Sequence, residues 1–252
     1  SEMCIRDRFT ADDFNFSDVD GDTLSSVTVS ALSGSDGTFS LNGTAITGST
    51  TVTKTQIDNG QLTFAPDSNE NGSNYNTFTF TVNDGTTNSS SSYTMTVDVT
   101  AVNDAPTASN NTVTTNEDTD HTFAASEFGF TDVDGDSLDH VTIETLPSNG
   151  TLLLSGSAVS AGDQISAANI TNLVFRPAAN ANGSGYGSFT FSVNDGTVDS
   201  SSTYTMTVDV TAVNDAPTVV NDTDSVTEGG TVIETTNSCL LYTSDAADDR
   251  MR

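Results

Sequence analysis

Residues 204–218 read YTMTVDVTAVNDAPT. In the window 203–211, Tyr204, Met206, Val208 and Val210 alternate with Thr203, Thr205, Thr207 and Asp209. An apolar period of two describes a β-strand with one face in a core and the other toward water. The same fifteen letters stand at 93–107, an offset of 111 residues. VNDG recurs at 82–85 and 193–196, and DVDGD at 18–22 and 132–136. A period this long is a whole domain rather than one turn of a solenoid.

The expected organisation is a first repeat over 9–106, a complete repeat over 107–217 and the start of a third over 218–238. The ends are read differently. Cys239–Ser244 can be encoded by TGTCTCTTATACACATCT, whose reverse complement contains ATG TGT ATA AGA GAC, the codons of Met3–Asp7. Residues 1–8 and 239–252 therefore resemble a translated sequencing adapter and are left out of fold reasoning. Those ends hold both cysteines, four of the six basic residues and five of the 35 acidic ones. What remains is Lys54 and Arg176 against 30 acidic residues, a net charge of −28. Without cysteine there is neither a disulfide framework nor a thiolate metal site. A charge this negative argues against nucleic acid and anionic membrane as partners. No stretch approaches 18 consecutive apolar residues, so no membrane-spanning helix is expected.

Strands are expected near 112–117, 121–124, 139–145, 151–154, 171–176, 187–194 and 202–211, separated by Asn, Gly, Asp and Ser, with one helical turn around 166–170. Seven short strands in about 110 residues predict an all-β chain of tandem Ig-like β-sandwiches. The predicted core is Phe123, Phe130, Val141, Ile143, Leu152, Leu154, Leu173, Phe175, Phe189, Phe191, Tyr204, Met206 and Val208.

In such a sandwich the loop after the second strand and the loop before the last strand share one pole. The first carries Asp132, Asp134 and Asp136, and the second carries Asp195. Asn103 and Asp104 of the linker are expected to arrive at that pole, together with Asp67 and Glu70 from a loop of the preceding repeat. Crowded carboxylates repel one another and stay ionised readily only around a cation. Oxygen donors on flexible loops suit Ca²⁺, whereas Mg²⁺ demands a stricter octahedron. Zinc would call for His or Cys, and outside the ends only His121 and His140 are present. The pattern is not an EF-hand, because Gly135 is at loop position 4 and Ile143 stands where the closing Glu belongs. The solvated reading, that Asp-Gly pairs simply favour turns, competes with the calcium reading.

VNDAPT at the end of each unit, DVDGD after the second strand and Phe189-x-Phe191 leading into VNDG together resemble bacterial cadherin-like tandem repeats of large secreted or surface-attached adhesin-type proteins. The resemblance covers nearly all of 9–238. It implies a calcium-binding sandwich used in long arrays, outside the cell or on its surface. Cadherin linkers carry Asp-x-Asn-Asp-Asn. Asn103 and Asp104 match its Asn-Asp, while Ala101 and Ala105 depart from it. Asp132 and Asp134 match the Asp-x-Asp of the following domain, and Asp195 resembles the acidic residue after the sixth strand.

The expected function is therefore a calcium-stiffened spacer that presents distal binding domains, with neighbouring repeats of the same chain as its partners. Cell-surface or glycan ligands would bind through domains outside this segment. The alternative is a direct cell- or glycan-adhesion module, for which Tyr75 and Tyr186 are the candidate aromatic contacts. No catalytic constellation is evident: His121 and His140 have no counterpart in the first repeat, where Ser26 takes the place of His140.

Overall fold

The computed structural model describes residues 8–219, in two compact units that divide between Asn103 and Asp104. The expected third-repeat start and both adapter-like ends lie outside the described residues, apart from Arg8, Thr218 and Val219.

The first unit contains β1 (Ser26–Val29), β2 (Thr38–Leu41), β3 (Thr44–Ala45), β4 (Thr50–Thr53), helix α1 (Lys54–Asp58), β5 (Leu62–Ala65), β6 (Gly72–Asn83) and β7 (Tyr93–Val99). One sheet has the order β4-β1-β6-β7 and the other β3-β2-β5. The second unit contains β8 (Asn111–Asn116), β9 (His121–Thr122), β10 (His140–Ile143), β11 (Thr151–Leu154), β12 (Ser157–Ala158), β13 (Gln164–Ser166), β14 (Leu173–Arg176), β15 (Gly183–Asn194) and β16 (Tyr204–Thr211). Its sheets are β13-β10-β15-β16-β8 and β12-β11-β14-β9. The fold is all-β, with two sheets in each unit, as the alternation of apolar residues predicts.

All seven expected strands of the second unit are present, and the helical turn is the 3₁₀ segment Ala167–Asn172. Two further short strands, β12 and β13, lie outside the seven that the sequence predicts. Two or three residues carry too little alternation to be seen, and both elements exist only through pairing, β12 with β11 and β13 with β10. The pairing of β8 with β16 is parallel, unlike the other ladders of the unit.

Each unit is built round its own phenylalanine core. In the second, Phe123, Phe128, Phe175, Phe189 and Phe191 are fully buried. Phe128 meets Phe191 edge to face with ring centroids 4.9 Å apart, and Phe123 meets Phe189 likewise at 5.6 Å. Such pairs add about 0.5–1.5 kcal/mol to the burial of their area. The expected core residues Phe130, Leu154 and Tyr204 are only partly buried and pack against its margin. Phe128 takes the central place instead. It ends a 3₁₀ turn, Ala125–Phe128, and the amide of the capping residue before it, Ala124, donates to Glu127 Oε2 at 2.9 Å. Gly129 then closes the turn with φ +58°, in the left-handed region that glycine enters without strain. Here a period of three replaces the period of two, so alternation misassigns the inward aromatic.

Asp209, on the polar side of β16, has a structural task. Its Oδ1 accepts from Gly185 N at 2.5 Å, tying down the bulge of β15 between Gly183 and Gly187. Asp98 does the same in the first unit, accepting from Asn74 N at 2.7 Å at the equivalent register shift. Bulges leave ladder amides unpaired, and these carboxylates satisfy one each.

Candidate metal centre

The loop from Thr131 to Asp139 joins the 3₁₀ turn to β10, and the loop from Asp195 to Thr203 joins β15 to β16. The register His140↔Asn194 brings the two loops side by side, and Asp139 N donates to Asn194 O at 2.8 Å. Convergence at one pole thus follows from the antiparallel β10–β15 ladder.

Within the first loop Asp132 organises its neighbours. Its Oδ1 accepts from Asp134 N at 2.9 Å and from Asp136 N at 3.1 Å, which folds the loop back over this carboxylate. The other oxygen, Oδ2, is buried and has no hydrogen-bond partner. Asp132, Asp134 and Asp136 each offer a carboxylate oxygen, and those oxygens all lie within 4.8 Å of one another. Among the described residues this is the one group of three or more acidic or His/Cys side chains so arranged. Asp18 folds its own loop in the same way, accepting from Asp20 N at 2.8 Å and Asp22 N at 3.2 Å.

The linker reaches this loop through its backbone. Asp104 N donates to Asp134 Oδ2 at 2.7 Å, and Thr107 exchanges two backbone hydrogen bonds of 2.8 Å with Thr131. Sequence reasoning treated Asp104 as a carboxylate donor; what the structure adds is its amide. Asp195 is 8% exposed and accepts from Thr197 N at 2.6 Å and Val198 N at 2.7 Å through Oδ1. Asp84 makes the same loop in the first unit, where the amides of Thr87 and Thr86 hold its carboxyl below the usual range. Neither His140 nor His121 joins the acidic group. His140 Nδ1 lies 2.8 Å from Asp139 Oδ2, and His121 Nε2 lies 3.3 Å from Glu127 Oε2.

Asp67 and Glu70 occupy a loop of the first unit. The hydroxyl of Tyr75 joins them, donating to Glu70 Oε2 at 2.5 Å and accepting from Asp67 N at 3.3 Å. Burial, then the hydrogen bond to Glu70, push the Tyr75 phenol up. The ring packs edge to face on Phe64, and Tyr186 repeats the arrangement on Phe175. Neither ring stands out as a platform.

A second polar group closes the other end of the second unit. Glu117 is 3% exposed; its Oε1 accepts from Val213 N at 2.6 Å and its Oε2 from Asn182 Nδ2 at 3.0 Å. The amide of Asn180, turned with nitrogen toward the carboxylates, donates to Asp215 Oδ2 at 2.8 Å and Asp118 Oδ2 at 3.2 Å. Asn180 and Asn182, which complete this group, do not figure among the candidate residues of the sequence analysis. The signal was available: PAANANG at 177–183 parallels PDSNENG at 66–72.

A bacterial Ig domain model matches residues 103–211, and a cadherin-like model matches residues 6–99. The chain thus carries a cadherin-like repeat followed by a bacterial Ig repeat, one matched in each unit. Among solved structures, these repeats are similar to an endo-fucoidan hydrolase of glycoside hydrolase family 107. That match has 22% identity and a TM-score of 0.29, and covers 77% of this chain but only 24% of the hydrolase chain. They are also similar to human protocadherin-24 EC1-2, with 18% identity, a TM-score of 0.46 and coverage of 77% and 84% of the two chains. A third match is to domains 4 and 5 of the S-layer protein SbsC, with 15% identity, a TM-score of 0.23 and coverage of 73% and 98%. The repeats span about a quarter of the hydrolase. No curated protein matches the chain. Among the described residues no helix is long and apolar enough to cross a membrane.

Proposed function

We propose that these repeats are a calcium-binding spacer segment of a large extracellular or surface-attached bacterial adhesin. The observation that carries this reading is the orphaned Oδ2 of Asp132, buried beside the carboxylates of Asp134 and Asp136. A buried carboxylate oxygen without a donor is costly, by about 1–3 kcal/mol or more for a charged group. An all-oxygen group suits a hard cation that takes six to eight oxygens at flexible loops. Asp132, Asp134 and Asp136 would hold the ion, and its charge would cancel their mutual repulsion. Asn103, Asp104, Asp195, Asp67 and Glu70 are the further candidate oxygen donors that the sequence reading names for calcium. An array whose linkers are restrained in this way would project distal binding domains from the cell. Surplus negative charge also keeps neighbouring modules apart unless cations are present.

The direct glycan-adhesion alternative asked for an exposed aromatic platform. Tyr75 and Tyr186 are instead engaged in packing and loop hydrogen bonds, which does not favour that role. The proposal assigns no catalysis to the segment.

Calorimetric titration of the metal-stripped chain with CaCl₂, paired with small-angle scattering before and after chelation, tests it. Saturable heat in the range of about 10⁻⁴–10⁻³ M, typical of extracellular modules, and a radius of gyration that changes on chelation are the expected results. Absence of any calcium-dependent heat would remove the reading; heat with an unchanged radius would leave a calcium site but no spacer mechanism.

A further inference from the structure

One imidazole of the second unit is set between two carboxylates. His140 opens β10, and its Nδ1 lies 2.8 Å from Asp139 Oδ2. An ionised carboxylate only accepts, so Nδ1 carries the ring proton and Nε2 is the lone-pair nitrogen. Nε2 is buried and has no hydrogen-bond partner. It faces Asp199 Oδ1 across 3.9 Å, which is too far for a hydrogen bond. Asn194 fixes Asp199 there, its Nδ2 donating to the same Oδ1 at 2.7 Å. A buried acceptor without a donor is costly, and two carboxylates beside it favour a cation at this position.

The first unit supplies an internal comparison. Ser26 pairs with Asn83 as His140 pairs with Asn194. Ser25 N donates to Asn83 O, and Asp139 N to Asn194 O, both at 2.8 Å. Asn83 Nδ2 donates to Asn88 Oδ1 at 2.8 Å, as Asn194 does to Asp199. The same backbone thus carries Ser25, Ser26 and Asn88 in one repeat and Asp139, His140 and Asp199 in the other. Neutral residues suffice for this ladder, so the ladder does not explain the ionisable ones. Nor does a basic side chain balance them. Between residues 9 and 238 only Lys54 and Arg176 are available, and these pair with Asp58 and Asp120.

We infer that His140 and Asp199 form a site for a borderline-soft divalent cation, with Zn²⁺ as the representative, separate from the acidic loop and independent of the calcium reading. His140 Nε2 and Asp199 Oδ1 are the protein ligands, and water completes the shell. Asp139 is a positioning residue: a carboxylate that accepts from the far nitrogen of a ligating imidazole fixes the ring and its tautomer. A metal bonded at about 2.0–2.2 Å to each ligand spans up to about 4.2 Å, so the gap between Nε2 and Oδ1 is within its reach. The Asp199 side chain is 60% exposed and can close on the ion, while that of His140, 15% exposed, is held. Imidazole suits zinc, copper and nickel, whereas calcium takes oxygen alone. A divalent ion also offsets both carboxylates, where a proton offsets one. Its binding ties the loop from Asp195 to Thr203 to the start of β10.

Histidine side-chain NMR on the full chain tests this. Cys4→Ser and Cys239→Ser remove the competing thiolates, and excess CaCl₂ occupies sites made of carboxylates alone. Titration with ZnCl₂ should shift the His140 Nε2 resonance saturably at sub-millimolar zinc, before His121 responds. Asp199→Asn, which installs the residue of the first repeat, should melt as the parent does and bind zinc about tenfold more weakly. Asp139→Ser, likewise taken from the first repeat, should weaken zinc binding about tenfold and release the fixed Nδ1–H tautomer, a signature that a merely structural role would not move. No zinc-dependent shift at His140 overturns the site, as does unchanged affinity in Asp199→Asn. Both ring nitrogens protonated at neutral pH with zinc present would mean that a proton fills the position, and overturns it equally.

Discussion

Asp132→Asn separates the two roles of one carboxylate. The amide oxygen can keep the hydrogen bonds from Asp134 N and Asp136 N, now 2.9 and 3.1 Å, so the loop retains its fold. The orphaned Oδ2 becomes an uncharged NH₂ group. Without metal, the change removes repulsion between Asp132 and two carboxylates whose oxygens lie within 4.8 Å. Each such pair is worth about 0.9 kcal/mol at the dielectric constant of water. The variant should therefore melt at or above the wild-type temperature in chelator. With calcium the order reverses. A site with a Kd of about 10⁻⁴–10⁻³ M gains about 1.4–2.7 kcal/mol from 10 mM free ion. At about 4–8 °C per kcal/mol for a domain of this size, the wild type should rise by roughly 6–20 °C and the variant by much less. Differential scanning calorimetry in chelator and in 10 mM CaCl₂ reads all four values. An undiminished calcium increment in Asp132→Asn would refute the reasoning, because the ion would then be held elsewhere.

Three further outcomes follow from the packing and the ion pairs. Phe128→Ala should lower the stability of the second unit by about 3–5 kcal/mol in urea unfolding, since the fully buried ring leaves a cavity against Phe123 and Phe191. Gly150→Ala should cost about 1–3 kcal/mol or more, because φ is +74° and the new methyl would sit 2.3 Å from the Phe175 ring; intact wild-type stability would disprove the strain. Asp120 accepts two hydrogen bonds from Arg176, at 2.9 and 2.7 Å, and these hold its carboxyl below the usual range. A depressed folded-state pKa contributes stability that is present above the unfolded value, about 3.9, and lost as pH falls through the folded value. Asp120→Asn should accordingly flatten the acid side of the stability–pH curve below about pH 4, as followed by thermal melting.

How much was readable beforehand depended on the length of the pattern. The 111-residue repeat and the alternation in TYTMTVDVT determine the strands, the sandwich and most of the core, because a strand's two faces are set by its own letters. The acidic loop was legible for the same reason: Asp132, Asp134 and Asp136 are neighbours in the chain, and local hydrogen bonds to Oδ1 fold them together. The choice of Phe128 over Phe130 was not legible, since a 3₁₀ turn interrupts the period of two. Nor were β12 and β13, which are too short to have a pattern and form by pairing. Asp98 and Asp209 read as solvated polar positions until the register shifts of β6 and β15 placed unpaired amides beside them. The plainest division is between β7 and β16. Their shared letters determine two identical strands, but only the tertiary structure decides that Val208 is buried and Val97 half-exposed, because burial is completed by a neighbour more than 90 residues away in the chain.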